Sequence, residues 1–421
     1  ESLFGKTSLL MHELAWEETA PSRDQGNACF YRQLIKASSS CSAFVHSSVL
    51  RQRCLQTVPE LSCMDDMMPL DVQKYLKHHF CASGHTAVAL ESLVVIIGGW
   101  RKRRSENDIH LYVIDVADKL CLKQPVLTTD SFRPSRRLRH ACCVVQPSFL
   151  PASAFSQQSI LMLGGCHDRT EEPLPGLNKL NFLSFTKRDG SEAQWFEIVA
   201  TGKAPQSIWH HLCGTFAKGK RVVVFGGDFL ETDPEFLYIH DRCLASIVYV
   251  LDVELRSWER VQTSGVHPVW RSLHAGVVHE SLRDATERLV IFGGCIEHTD
   301  IFYSSDVADM RGYSLDLQSW TWLRGPGGSD VPPIQMRVSV ERLGRFLLVY
   351  GGHGDANVDD AQPCNSSSGF LKLDLLTLSW GRCDIAVEAS NYKAIASTTL
   401  TGGVIFGGVQ VKPAGISVVP K

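Results

Sequence analysis

Six times along the chain a short apolar run ends in a Gly-Gly pair: Val94–Gly99, Ile160–Gly165, Val222–Gly227, Leu289–Gly294, Leu347–Gly352 and Gly403–Gly408. A run that is apolar at every position, rather than at every second one, predicts a strand buried on both faces. The glycines end it where the backbone must approach a neighbour closely. A second strand follows each pair after a polar loop, at Leu111–Val116, Leu180–Phe185, Val248–Val253, Gly312–Leu317 and Phe370–Leu375. A tryptophan then opens a further strand: Trp195, Trp258, Trp320 with Trp322, and Trp380. Another strand precedes each run, as at His140–Val145 and His274–His279. The pattern predicts four antiparallel strands per repeat. Successive second glycines lie 66, 62, 67, 58 and 56 residues apart. One such sheet cannot bury both of its faces, whereas a ring of them can.

Residues 1–69 carry no Gly-Gly unit and read differently. Leu34, Ala37, Cys41, Phe44 and Val45 recur at helical spacing and give one apolar face. Leu9, Leu10 and Leu14 predict an earlier short helix. Two regions follow: a small helical segment over 1–69 and a repeat region over 70–421.

The six Gly-Gly pairs and the tyrosine-to-tryptophan pairing, clearest at Tyr313 and Trp320, resemble the kelch repeat. Kelch-type blades run to about 50 residues, somewhat less than the spacing here. The resemblance implies an all-β fold, a six-bladed β-propeller preceded by the small α-helical segment. The first repeat departs from the pattern in having no Trp after Asp115. The resemblance also implies that a strand from one end of the propeller closes the blade at the other, for which Val72–His78 is the candidate. Leu34–Leu55 resembles the later helices of an F-box, through Leu34, Cys41, Phe44, Leu50, Arg51 and Cys54, although the Leu-Pro opening of that family is absent. F-box followed by kelch is the order of the plant light-sensing ligase receptors, whose LOV domain has no counterpart here.

Composition narrows the classes. With 44% apolar and 21% charged residues, the chain sits near the globular average of roughly 45–50% and about 25%, so disorder over most of it is excluded. No apolar stretch approaches the ~20 residues of a membrane-spanning helix. A net charge of −3 gives no global positive field for nucleic acid. The 14 cysteines include no Cys-x-x-Cys pair, which argues against a zinc ribbon and for a reducing compartment, cytoplasm or nucleus. The chain starts at Glu1 rather than Met and reads as a fragment or processed form.

Signatures of catalysis are missing. There is no His-Glu-x-x-His, no Gly-x-Ser-x-Gly, and no phosphate-cradling glycine loop around the Gly-Gly pairs. The sequence therefore predicts no enzyme, no cofactor and no metal site. Recognition is expected instead from the loops at one mouth of the propeller. The loop after the first Gly-Gly holds Trp100, Arg101, Arg103 and Arg104, the densest basic run, suited to carboxylate or phosphate. The loops leading into the first strands carry Arg137 with His140, Trp209 with His210 and His211, and Trp270 and Arg271 with His274. The repeated histidines, His85 among them, read either as blade elements or as mouth lining; the Arg and Trp residues are the stronger interface candidates. Asp228–Ser246 is a long acidic and aromatic loop, and His353 stands with Asp355, Asp359 and Asp360 after the fifth Gly-Gly.

Taken with the resemblance, these features predict a protein-binding propeller. It would act as the substrate receptor of a cullin-type ubiquitin ligase, with Leu34, Cys41, Phe44, Leu50 and Arg51 gripping a Skp-type adaptor. The alternative is a non-catalytic scaffold within a larger assembly.

Overall fold

The computed structural model describes residues 84–99, 109–115, 121–128, 132–150, 157–167, 174, 176–205, 207–229, 247–294, 310, 312–325, 338–350 and 371–382, and short strands at 395–396, 399–401, 404–406 and 409–410. Among these residues every regular element is a strand. The helices expected over 1–69 and the closing strand expected at Val72–His78 lie outside them.

The described strands build five antiparallel blades around an axis. Blade one is His85–Leu90, Leu93–Gly98, Leu111–Asp115 and Cys121–Lys123, ordered from the inner strand outward. The inner strands of blades two to five are Ala141–Val145, Leu212–Phe216, Ala275–Glu280 and Ser339–Leu343. In blades two, three and four a two-residue strand from the preceding linker (Val126–Leu127, Thr201–Gly202, Ser264–Gly265) adds in parallel to the outer edge.

Among the described residues the expected six blades are five. The sixth Gly-Gly supplies a two-stranded hairpin, Thr399–Thr401 with Val404–Phe406, rather than a four-stranded sheet among the described residues. A Gly-Gly pair marks the end of a second strand, so counting the pairs counts second strands and not completed blades. The strand Thr399–Thr401 lies against the inner strands of both blade five and blade one, so the circle of inner strands closes.

The core lies between blades. Alternate residues of each second strand face opposite neighbours: Val222 and Val224 join the cluster shared with blade two, Val223 and Phe225 the one shared with blade four. This is why the runs before Gly-Gly are apolar at every position. The outer-strand tryptophans Trp195, Trp258, Trp322 and Trp380 each pack toward the preceding blade. Trp258 and Trp380 donate their indole N–H across that junction to the carbonyls of Leu177 and Met310, at 3.0 and 2.6 Å.

The fourth repeat corrects one assignment. Trp322, not Trp320, is the blade tryptophan: it pairs with Leu315 and is fully buried. The Asp316 carboxylate accepts the amides of Gln318 and Ser319 at 2.8 and 2.9 Å, tightening a turn in which Trp320 takes φ +56°. Its ring instead meets Phe216 edge-on, centroids 6.1 Å apart.

Candidate functional site

The Gly-Gly ends of the second strands and the loops leading into the inner strands meet at one end of the axis. They are joined by three sets of backbone contacts that repeat from junction to junction. First, the second glycine of one blade donates its N–H to the next blade's lead-in loop: Gly99 to Arg137 O, Gly165 to Ile208 O and Gly227 to Arg271 O, at 2.9–3.0 Å. Second, the residue just before each inner-strand histidine is left-handed: Gly84, Arg139, His210 and Leu273, with φ between +54° and +72°. Third, these four residues pass hydrogen bonds around the rim, Arg139 N to Gly84 O, His210 N to Arg139 O and Leu273 N to His210 O, at 2.9, 2.9 and 3.2 Å. The rim is a relay of peptide groups, which satisfies backbone that would otherwise be left open at a sheet edge.

The repeated histidines are blade elements. His140, His211 and His274 each seat their ring against the first glycine of the preceding blade. A Cβ built on Gly98, Gly164 or Gly226 would lie 2.6, 2.7 or 2.4 Å from the respective Cε1. Burial pushes His85 down to about 4 and both His211 and His274 to about 3, with neighbouring positive charge on Arg271 adding to the effect at His274. Burial likewise holds His140 well below its ordinary value. All four are neutral at pH 7.

Arg137 and Arg271 were expected at the binding surface and are instead buried. Each guanidinium crosses its own blade to the first glycine of the Gly-Gly pair. Arg271 donates to Gly293 O at 2.9 Å and Val269 O at 3.0 Å and lies over the Tyr313 ring at 5.3 Å. Arg137 reaches Gly164 O and Ser135 O, both at 3.3 Å. Burial lowers Arg137 to about 10, so it stays protonated at neutral pH. Both guanidinium groups thus hydrogen-bond carbonyls of their own blade and its lead-in loop. Arg271→Ala strips two charge-assisted bonds worth about 1.5–3 kcal/mol each and is expected to cost roughly 3 kcal/mol or more. Arg137→Ala, with longer bonds, is expected to cost less. Urea unfolding of the two variants measures the difference, and equal midpoints would contradict it.

Trp209, His210 and Trp270 are brought together at the junction of blades three and four. Trp209 is half-buried, and its backbone pairs with Asp228 in a short ladder that extends the blade-three hairpin. The same ladder sets the Asp228 carboxylate 2.6 Å from His210 Nδ1, the two side chains 5% and 11% exposed. Trp270 folds over the blade-three Gly-Gly, donates to Gly227 O at 2.8 Å and packs on Phe225, and its neighbour Val269 is exposed. Asp228 was the partner the sequence did not disclose; its place directly after Gly-Gly is the only signal. Among the described residues no cluster of His, Cys, Asp and Glu has the makings of a metal site. Trp100, Arg101, Arg103, Arg104 and His353 lie outside the described residues, as do Leu34, Cys41, Phe44, Leu50 and Arg51.

Residues 84–282 and 240–414 match the KLHDC2/KLHL20/DRC7 Kelch-repeats domain. Among curated proteins the chain is similar to acyl-CoA-binding domain-containing proteins 4 and 5 of Arabidopsis thaliana. It is 25% identical to both, over 77% and 75% of its length and 42% and 41% of theirs. It is also 23% identical to the host cell factor homolog hcf-1 of Caenorhabditis elegans, over 64% of this chain and 31% of that protein. The chain thus spans less than half the length of these curated relatives.

Proposed function

The chain belongs to the kelch-repeat domain family, and from that premise we propose that it is a non-catalytic recognition module whose mouth, at the junction of blades three and four, grips a protein partner. One observation carries the reading. The rim spends its backbone and its buried Arg and His groups on holding itself together, and among the described residues leaves Trp209, Trp270 and Val269 as apolar side chains partly open to solvent there. Rigid aromatic anchors on a preorganised frame are what interface hot spots are made of. The basic loop Trp100, Arg101, Arg103 and Arg104 would add a carboxylate- or phosphate-binding flank, by its sequence alone.

The finer proposal is a ubiquitin-ligase substrate receptor. It rests on the F-box-like pattern of Leu34, Cys41, Phe44, Leu50 and Arg51. In that reading the chain raises the effective concentration of a substrate beside a separate transferring enzyme. The scaffold reading needs the mouth alone.

One affinity-capture experiment from cell lysate, with bound proteins quantified, addresses both. Trp209→Ala is expected to lower recovery of mouth-bound proteins tenfold or more, since truncation of an aromatic hot spot costs about 2 kcal/mol or more. Undiminished recovery would reject the mouth as the binding site. Removal of residues 1–69 is expected to lose a Skp-type adaptor and cullin while keeping mouth-bound partners. If neither ligase component comes down with the full chain, the receptor reading falls and the scaffold reading stands.

A further inference from the structure

Side chains on the inner strands alternate between the two neighbouring blades. Counting from each lead-in histidine, the second residue faces the preceding blade and the third faces the following one. In blade two, Cys142 accordingly packs with the blade-one cluster and Cys143 with the cluster shared with blade three. In blade three, Cys213 is the second residue and packs back into the same cluster as Cys143. The inner strands of the two blades run side by side. At the other junctions these opposed positions hold Val88 with Cys142, Gly214 with Gly276, and Val277 with Val340. Neighbouring inner strands approach closely beside them: at Gly214 an added Cβ would stand 2.5 Å from Val278, and at Gly276 2.8 Å from Leu212. Only between blades two and three are both residues cysteine.

We propose that Cys143 and Cys213 form an oxidisable dithiol, closed into a disulfide by a low-molecular-weight disulfide such as oxidised glutathione, that staples blade two to blade three at the channel wall. Both are free thiols in the reduced chain; Cys143 is buried and Cys213 half-buried. The half-buried Cys213 is the group a small oxidant reaches first. Its thiolate attacks one sulfur of the oxidant, forming a mixed disulfide and releasing one glutathione thiol. The Cys143 sulfur, after giving up its proton to water, then attacks the Cys213 sulfur and expels the second glutathione. Two thiols are oxidised, one disulfide is reduced to two thiols, and no other reactant is needed. The shared thiol–thiol contact, then burial, holds Cys143 well above the ordinary thiol range, so the second step is the slow one and accelerates with pH.

The test uses the full chain under native conditions in a series of oxidised and reduced glutathione mixtures, quenched by alkylation and mapped by mass spectrometry. The expected result is a linked peptide pair containing Cys143 and Cys213, a protein mass lower by two hydrogens, reversal by dithiothreitol, and a thermal midpoint raised by several degrees. Cys142→Ser is expected to leave the link intact, while Cys143→Ser is expected to stop at a glutathione adduct on Cys213. Two results would overturn the proposal: Cys143 staying reduced while Cys213 carries glutathione, or Cys213 pairing with Cys142. Serine is nearly isosteric with cysteine, and circular dichroism of each variant confirms that it is folded before the mapping is read.

Discussion

Lowering the pH from 7 to 5 is expected to unfold the propeller cooperatively, before its carboxylates titrate. His85, His211 and His274 bind protons in the folded chain only near pH 3–4, whereas the same side chains in an unfolded chain bind them at about 6.5. A folded pKa below the unfolded one means that the unfolded state takes up more protons as the pH falls through 6.5. Stability therefore declines from about pH 6.5 downward and stops declining only near the folded values. At pH 5 each of the three costs about 2 kcal/mol, from roughly 1.5 pH units at 1.36 kcal/mol per unit. Together they remove about 6 kcal/mol, comparable with the whole stability of about 5–15 kcal/mol typical of a domain. His140 and His279, the latter lowered by burial to about 4, act in the same direction. Urea unfolding followed by tryptophan fluorescence at a series of pH values measures this. The expected slope corresponds to the uptake of about four or five protons on unfolding between pH 6 and 5. A slope near zero there would show that the rings are hydrated and not wedged between blades. Substituting His274 by Gln, which cannot titrate, is expected to remove about one proton from the slope.

These rings also mark how far the sequence could be read. The continuous apolar runs, the Gly-Gly ends and the outer tryptophans disclose four-stranded blades with a core on each face, because burial on both sides leaves no polar position to interrupt the run. Strand limits follow within a residue or two: Val248–Val253 was expected where Ile247–Asp252 forms. The site was less legible. Arg137 and Arg271 have the composition of interface anchors, and nothing in a single sequence distinguishes a guanidinium facing solvent from one folded back onto the glycine carbonyl of its own blade. Sequence separation hides the contact, since Arg271 and Gly293 are 22 residues apart. Asp228 was hidden in the same way, as the first residue of a long acidic and aromatic loop whose partner, His210, lies 18 residues back. Trp320 and Trp322 could not be ordered by spacing, because a left-handed residue in the turn shifts which of two neighbours enters the strand. Five complete blades among the described residues, where six were expected, follow from what was counted: the motif records one strand of the four.

Gly226→Ala is expected to cost at least about 3 kcal/mol, and Gly312→Ala almost nothing. Gly226 has φ +69°, where an alanine pays about 1–2 kcal/mol for its backbone alone. Its new Cβ would also lie 2.5 Å from Arg271 O and 2.4 Å from the His274 ring. The carbonyl belongs to the peptide that receives Gly227 N–H, and the ring is buried against Phe225, 5.7 Å between centroids. Neither can move without shifting the lead-in loop of blade four and, through Leu273, the rim relay. At Gly312 the nearest atom to a new Cβ is 3.4 Å away on a leucine side chain, an ordinary contact. There the smaller entropy of the unfolded alanine chain offsets the substitution to within about 1 kcal/mol. Urea midpoints of the two variants test the contrast, which fails if Gly226→Ala lies within about 1 kcal/mol of the parent chain. A cycle with His274→Ala then separates strain from collision. If the ring is what the methyl strikes, the double variant is more stable than the sum of the single losses predicts, by about 1 kcal/mol or more. If the two losses add, the left-handed backbone and the Arg271 carbonyl carry the whole cost. In that case the glycine is required by the course of the chain at the mouth, whatever side chain the next blade sets against it.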